Sequence, residues 1–162
     1  MPGLAITDHG NMYGVKEFFK VAKDFPEIKP IIGCEVYVTQ GYDHNLKDKD
    51  HKGYYHLILL AKNENGYRNL LKIVSEGHIN GMYYKPRVSH KIIEKYHEDL
   101  ICCSACLAGE IPRKIVAGDM KGAEESINWF KGLFGEDYYL EVQLHKTEVQ
   151  GLTGKAYDRV WE

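Results

Sequence analysis

Histidine, glutamate and cysteine recur where short apolar runs begin or end, and these residue types hold divalent metals. His9 closes the run Leu4-Ala5-Ile6-Thr7-Asp8-His9, and Glu35 closes Ile31-Ile32-Gly33-Cys34-Glu35. His56 opens His56-Leu57-Ile58-Leu59-Leu60, and Cys106 ends Leu100-Ile101-Cys102-Cys103-Ser104-Ala105-Cys106. A polar ligand at the rim of a buried strand costs free energy unless it is paired or bound. Repeated at successive strands, it describes a barrel with a metal centre at its mouth. Each residue alone has a plainer reading. Asp8 either orients an imidazole or caps the next helix. Glu35 either faces solvent at a strand edge or bridges two ions. His56 is either a satisfied core histidine or a ligand, and Cys106 either a small buried hydrophobe or a thiolate. Their joint placement carries the metal reading.

The elements that must position these residues alternate. After Asp8-His9-Gly10, Asn11 caps an expected helix from Met12 to about Lys23, with Val15, Phe18, Phe19 and Ala22 at helical spacing. Lys29 to Val38 reads as a strand. Gln40 to Gly53 is polar and reads as a mobile surface insertion, with His44 and His51 expected in solvent. A third strand opens near His56, or from Gly53 or Tyr54. Asn63 caps a helix from Glu64 to about His78. Gly81 to Arg87 reads as an aromatic and basic loop. Ser89 caps a short helix to about Tyr96, and a fourth strand ends at Cys106. Pro112 suits the first turn of a helix stopping near Gly118, and Asp119 caps another. Tyr138 to Val142 reads as a fifth strand, with helix possible again from Lys155. Strands separated by helices predict a parallel sheet, with function at the C-terminal strand ends.

The chain of 162 residues is long enough for one domain with a real core. Its net charge of −2 supplies no global positive field, so contact with DNA needs a local basic patch. No apolar run approaches the roughly 20 residues that span a bilayer, so no membrane partner is expected. The cysteines are Cys34, Cys102, Cys103 and Cys106, three of them nearly adjacent. That is a poor disulfide framework and suits a reducing cytoplasm. Cys103-x-x-Cys106 has zinc-knuckle or redox spacing, without a second such pair.

The stretch Ala5-Ile6-Thr7-Asp8-His9-Gly10-Asn11-Met12-Tyr13-Gly14 resembles the second motif of the polymerase and histidinol phosphatase (PHP) domain. Its Asn-Met-Tyr-Gly form is similar to that of bacterial replicative DNA polymerase alpha subunits. The likeness continues through Lys29 to Tyr37, His56 to Asn63, Gly66 to Leu70, Tyr83 to Arg87 and Ser104 to Glu110. The resemblance implies an α/β fold: a partial, distorted β/α barrel of about seven strands when complete, with its first and last strands missing here. Residues 1–149 would be an incomplete PHP domain and residues 150–162 the start of the following segment. The family's His-x-His motif would precede Met1, which need not be a true start, and no closing Asp-x-His motif is present. Marginal stability is therefore expected of the fragment alone.

By the same resemblance His9, Glu35, His56 and Cys106 are metal ligands, and the cofactors are up to three divalent ions (zinc, manganese or iron). Asp8 and Arg87 are the expected catalytic residues. Asp8 would orient an imidazole. From the residues of the aromatic loop, Arg87 and Lys85 either neutralise phosphate and Tyr83 and Tyr84 stack on a base, or the loop is packing with a solvated rim. His145 is a further candidate ligand. The implied parent is a DNA-directed DNA polymerase with a metal-dependent phosphoesterase or 3′–5′ exonuclease site. Its expected partners are DNA, other replicative polymerase subunits and a proofreading exonuclease. The alternatives are a non-catalytic scaffold that docks that exonuclease, and a free-standing histidinol-phosphatase-like enzyme.

Overall fold

The computed structural model describes residues 1–143. His145, the helix expected from Lys155 and the boundary at 149/150 lie outside them. Seven strands and five helices follow in the order β1 (Gly3–Ile6), α1 (Val15–Ala22), β2 (Lys29–Thr39), β3 (Tyr54–Ala61), α2 (Glu64–Ile79), β4 (Met82–Tyr83), β5 (Lys85–Val88), α3 (His90–Tyr96), β6 (Leu100–Cys103), α4 (Glu110–Val116), α5 (Met120–Phe134) and β7 (Tyr138–Tyr139). They form one mixed sheet in the order β4-β5-β2-β3-β6-β7, with β1 also pairing β2.

The expected parallel sheet is corrected. β1, β5 and β7 pair in parallel with their neighbours β2, β2 and β6, but β2–β3, β3–β6 and β4–β5 are antiparallel. The polar insertion explains the error. It joins β2 to β3 without a crossover helix, and a connection of that kind lets the chain return antiparallel. The Gly81 to Arg87 segment is a hairpin rather than a loop. Its strands are too short to show a period, and Pro86 disguises β5, although proline is tolerated beside an edge strand.

One face of β2 and β3 is apolar. Cys34, Val36 and Val38, with Leu57 and Leu59, face a core shared with Leu70 and Ile73 of α2, Ile93 of α3 and Phe130 of α5. Each large side chain buried there contributes roughly 1.5–3 kcal/mol. The other faces of β2 and β3 carry Glu35, Tyr37, Tyr54 and His56 alongside Ile58 and Leu60.

Helix starts follow their caps. Asn63 and Asp119 accept from the backbone N–H of Gly66 and Gly122 through their side chains. Asn11 does not cap α1. Its side chain closes a local turn, accepting from Tyr13 N at 3.0 Å and donating to His9 O at 3.0 Å. The helix therefore starts three residues later than expected. Ser89 stands at the N-cap of α3, but its hydroxyl engages His44 instead of the helix.

The insertion is anchored, contrary to its reading as a mobile surface segment. His44 is buried, with Nδ1 3.1 Å from Ser89 Oγ and Nε2 3.0 Å from Glu76 Oε1. His51 is only partly exposed and lies against Asp48 at 2.8 Å.

One buried carboxylate ties the later helices together. Glu110 accepts from Ser126, Lys114 and His90 at 2.6, 2.8 and 2.9 Å. Burial pushes its pKa up, but these partners outweigh burial and hold it at about 2. The folded value lies below the ordinary one near 4.5, so the stabilisation is complete above about pH 4.5 and is lost as pH falls toward 2. Glu110→Gln is expected to lower the urea midpoint at pH 7. The gap from the parent protein should close between pH 4.5 and 2, and a gap constant over that range would contradict this role.

Candidate metal centre

β2 assembles the site through its register. Glu35 forms a parallel bridge with His9: Glu35 N donates to Asp8 O at 3.1 Å, and Gly10 N donates to Glu35 O at 2.9 Å. On the other edge of β2, His56 stands opposite Tyr37. Glu35 and Tyr37 share a face, because strand side chains alternate. His56 therefore lies diagonally across from Glu35 on that same face. Antiparallel pairing also explains how a histidine near the start of β3 meets Glu35 within β2 and His9 just beyond β1.

The result is a cluster. One ligand atom from each of His9, Glu35 and His56 lies within 4.8 Å of the other two. Glu35 Oε1 is 2.5 Å from His56 Nδ1 and 3.6 Å from His9 Nδ1. This oxygen is buried and forms no well-aligned hydrogen bond, its near neighbours being these two imidazole nitrogens. Buried acceptors are nearly always satisfied, and leaving one bare costs about 1–3 kcal/mol. Two imidazole nitrogens and a carboxylate oxygen this close together are a group that could hold a divalent transition ion. The side chains of Glu35 and His56 are mostly buried, whereas that of His9 is 60% exposed, so the cluster opens to solvent on the His9 side.

Cys106 stands beside this cluster. The backbone of His56 recruits its loop: His56 N donates to Ala108 O at 3.1 Å, and Cys106 Sγ lies 3.7 Å from His56 Nδ1. Ala105 holds φ +63° to turn the chain there, a conformation that costs about 1–2 kcal/mol. Cys34 takes a different role. Its buried thiol is pushed up to about 12 by desolvation and donates toward Asp8 O and Asn11 O, at 3.3 and 3.4 Å. It pins the His9 loop as a neutral donor.

The two expected catalytic residues are placed elsewhere. Asp8 Oδ2 accepts from Gly14 N at 3.1 Å, so its carboxylate serves the start of α1. Arg87 is fully buried. Its guanidinium donates to the carbonyls of His51, Leu46 and Gly81 at 2.5, 2.9 and 3.3 Å, and to Tyr42 Oη at 3.2 Å. Four of the five donors of this planar fork are taken, three of them by backbone carbonyls, and full burial keeps the group from a phosphate in solvent. Arg87 is corrected from phosphate binder to anchor of the insertion.

Other residues at the site were not singled out from sequence. The Tyr37 ring lies 5.3 Å from that of His56 and 6.4 Å from that of His9, and the Tyr54 ring stacks on His56 at 6.1 Å. The alternation at 35 and 37, and at 54 and 56, was the available signal. His78 of α2 reaches Gly10 O at 2.8 Å, and no local pattern marks it.

Gly10 makes the close approach possible. It has φ +68°, and a Cβ there would come within 2.7 Å of the Tyr37 ring and 2.9 Å of Pro86. Gly10→Ala is expected to cost about 2–4 kcal/mol and to displace His9. Reduced metal retention alongside a lowered unfolding midpoint would show it; wild-type values for both would refute it. Arg87→Met should cost about 2–4 kcal/mol through the stranded carbonyls, and Arg87→Lys should recover little of that. Unfolding midpoints equal to the parent's would count against the anchor.

The PHP domain family matches residues 1–145 of this chain. The chain is 48% identical over 157 residues to the DNA polymerase III subunit alpha of Borreliella burgdorferi, covering 96% of this chain and 14% of that protein. It is 48% identical over 146 residues to the subunit of the same name from Treponema pallidum, covering 88% and 12%. With that of Thermus aquaticus it shares 40% identity over 146 residues, covering 89% and 12%. The chain thus spans about a seventh of the first of these relatives and less of the others. With this match over most of its length and a mixed α/β sheet gathering His9, Glu35 and His56, the chain belongs to the PHP domain family.

Proposed function

We propose that this chain is the PHP portion of a bacterial DNA polymerase III alpha subunit, acting in DNA replication in the cytoplasm, and that it carries a metal-dependent phosphoesterase centre of the 3′–5′ exonuclease type. The relatives named as that subunit support the first part. The carrying observation for the second is the convergence of the buried Glu35 Oε1 with the imidazole nitrogens of His56 and His9, with no well-aligned hydrogen bond to that oxygen. His9, Glu35 and His56 would hold the ion, with Cys106 as a further donor from its neighbouring loop.

The donor set of nitrogen, carboxylate oxygen and thiol sulfur suits zinc, manganese or iron better than magnesium or calcium, and a completed site would take up to three ions. Such an ion supplies Lewis acidity and a water acidified toward neutral pH. The chain's own contributions are positional. Glu35 is fixed by backbone bonds on both sides, His56 by its place in β3 and by the Tyr54 and Tyr37 rings, and His9 by the pinned Gly10 turn. The exposed His9 side leaves an entrance for a phosphodiester.

In this reading the complete domain closes into a distorted β/α barrel. DNA is its substrate, and other polymerase subunits, including a proofreading exonuclease, are its partners. A second reading, a scaffold for the polymerase, draws on one observation. Leu4 of β1, Phe19 and Val21 of α1 and nearby Phe25 are exposed apolar residues, and α1 buries none of its side chains. Such a face suits packing against further polypeptide of the same protein.

The deciding experiment is elemental analysis of the full-length protein purified without chelator, beside a His9→Ala, Glu35→Ala double variant. Stoichiometric metal in the first and its loss from the second is the expected result. Absence of metal from both would overturn the phosphoesterase reading and leave the scaffold.

A further inference from the structure

Burial of Arg87 removes one of the two cations that the sequence offered for binding phosphate, and leaves the other in a distinctive place. Lys85 is exposed at the start of β5. Its ammonium lies 5.5 Å from the centroid of the Tyr37 ring. That ring borders His56 at 5.3 Å and His9 at 6.4 Å. Lys85 Nζ therefore stands one aromatic ring away from both imidazoles of the cluster, on a four-carbon stem that can swing across it. Among the described residues Lys85 forms no ion pair.

The hairpin that carries Lys85 is held rigidly against the site. Pro86 packs on Gly10, whose lack of a side chain lets the turn and the hairpin meet. Tyr37 pairs with Arg87, and the buried Arg87 guanidinium fixes the strand from the other end. On a fixed hairpin, this cation rests on the aromatic wall of the open cluster through a cation–π contact with Tyr37 and has no carboxylate partner among the described residues.

We infer that Lys85 is the phosphate-positioning residue of this centre: its ammonium leaves the Tyr37 face to hold a non-bridging phosphoryl oxygen of a phosphodiester whose phosphorus lies over His9, Glu35 and His56. This rests on the phosphoesterase reading above. The group acts as a point charge on the ground-state anion. Its loss weakens substrate binding more than it slows turnover. A charge-assisted hydrogen bond of this type corresponds to about tenfold or more in affinity.

The test uses the full-length protein and the variants Lys85→Met and Lys85→Arg. Bound metal is measured in each, then KM and kcat for bis(p-nitrophenyl) phosphate, then inorganic phosphate affinity with metal present and after chelation. The expected result is unchanged metal content, KM raised about tenfold in Lys85→Met with kcat within about twofold, and recovery in Lys85→Arg. Phosphate affinity should fall in parallel, and a smaller fall should persist in the chelated protein, where it reads Lys85 without the metal. Equal phosphate affinity in the parent and Lys85→Met, or a fall in kcat alone, would overturn the inference while leaving the metal centre standing. A parent protein without metal overturns the phosphoesterase reading instead, and the chelated comparison then judges Lys85 by itself.

Discussion

Everything at the candidate centre depends on the register of β2. This strand pairs with β1 along its first residues, and its second half pairs with β3 on one edge and β5 on the other. Glu35 bridges His9 across one edge and lies diagonal to His56 across the other. A slip of one residue would turn Glu35 into the hydrophobic core and Val36 into the cluster. The slip is opposed by Cys34, Val36, Val38, Leu57 and Leu59, whose burial contributes several kcal/mol only in the observed register. The apolar faces of two strands thus determine where the polar chemistry stands.

The site is stiffened by side chains already engaged with backbone groups. The Cys34 thiol pins the His9 turn, the Asp8 carboxylate ties that turn to α1, and His78 reaches the Gly10 carbonyl from α2. Around the far side of the hairpin, Arg87 and His44 fasten the insertion to β5 and α2. Buried polar groups of this kind stabilise only when satisfied, and these are. Glu35 Oε1 is the contrast: it is buried beside two imidazoles, and no well-aligned hydrogen bond reaches it among the described residues. The contrast falls within the cluster of His9, Glu35 and His56, whose ligand atoms lie close enough together to hold a metal ion.

Charge is distributed to match. The overall charge of −2 gives no long-range attraction for a polyanion. Of the two cations in the Lys85-Pro86-Arg87 stretch, one is consumed by the fold and one stands beside the cluster. Residues two apart on a strand share a face, so sequence alone could not separate them. The insertion closes over one end of the hairpin face and leaves the other open, and that decides which cation is free.

Sequence by itself determined the apolar runs that became β1, β2, β3, β6 and the start of β7, the Asn63 and Asp119 caps, and the residue types able to bind metal. These are legible because alternation, helical spacing and capping are local, set by neighbours within a few residues. The PHP family was legible from motif stretches for the same reason. Only the tertiary structure decided that β2 and β3 run antiparallel, that the aromatic loop is a hairpin, that His44 and Arg87 are buried, and that His9, Glu35 and His56 converge with Cys106 alongside. Those outcomes turn on which distant segments pack together. His56 and Cys106 are 50 residues apart and meet only because β3 carries the Cys106 loop on its backbone. Burial is a property of the whole packed chain, so the fate of an arginine or histidine is settled by what folds over it.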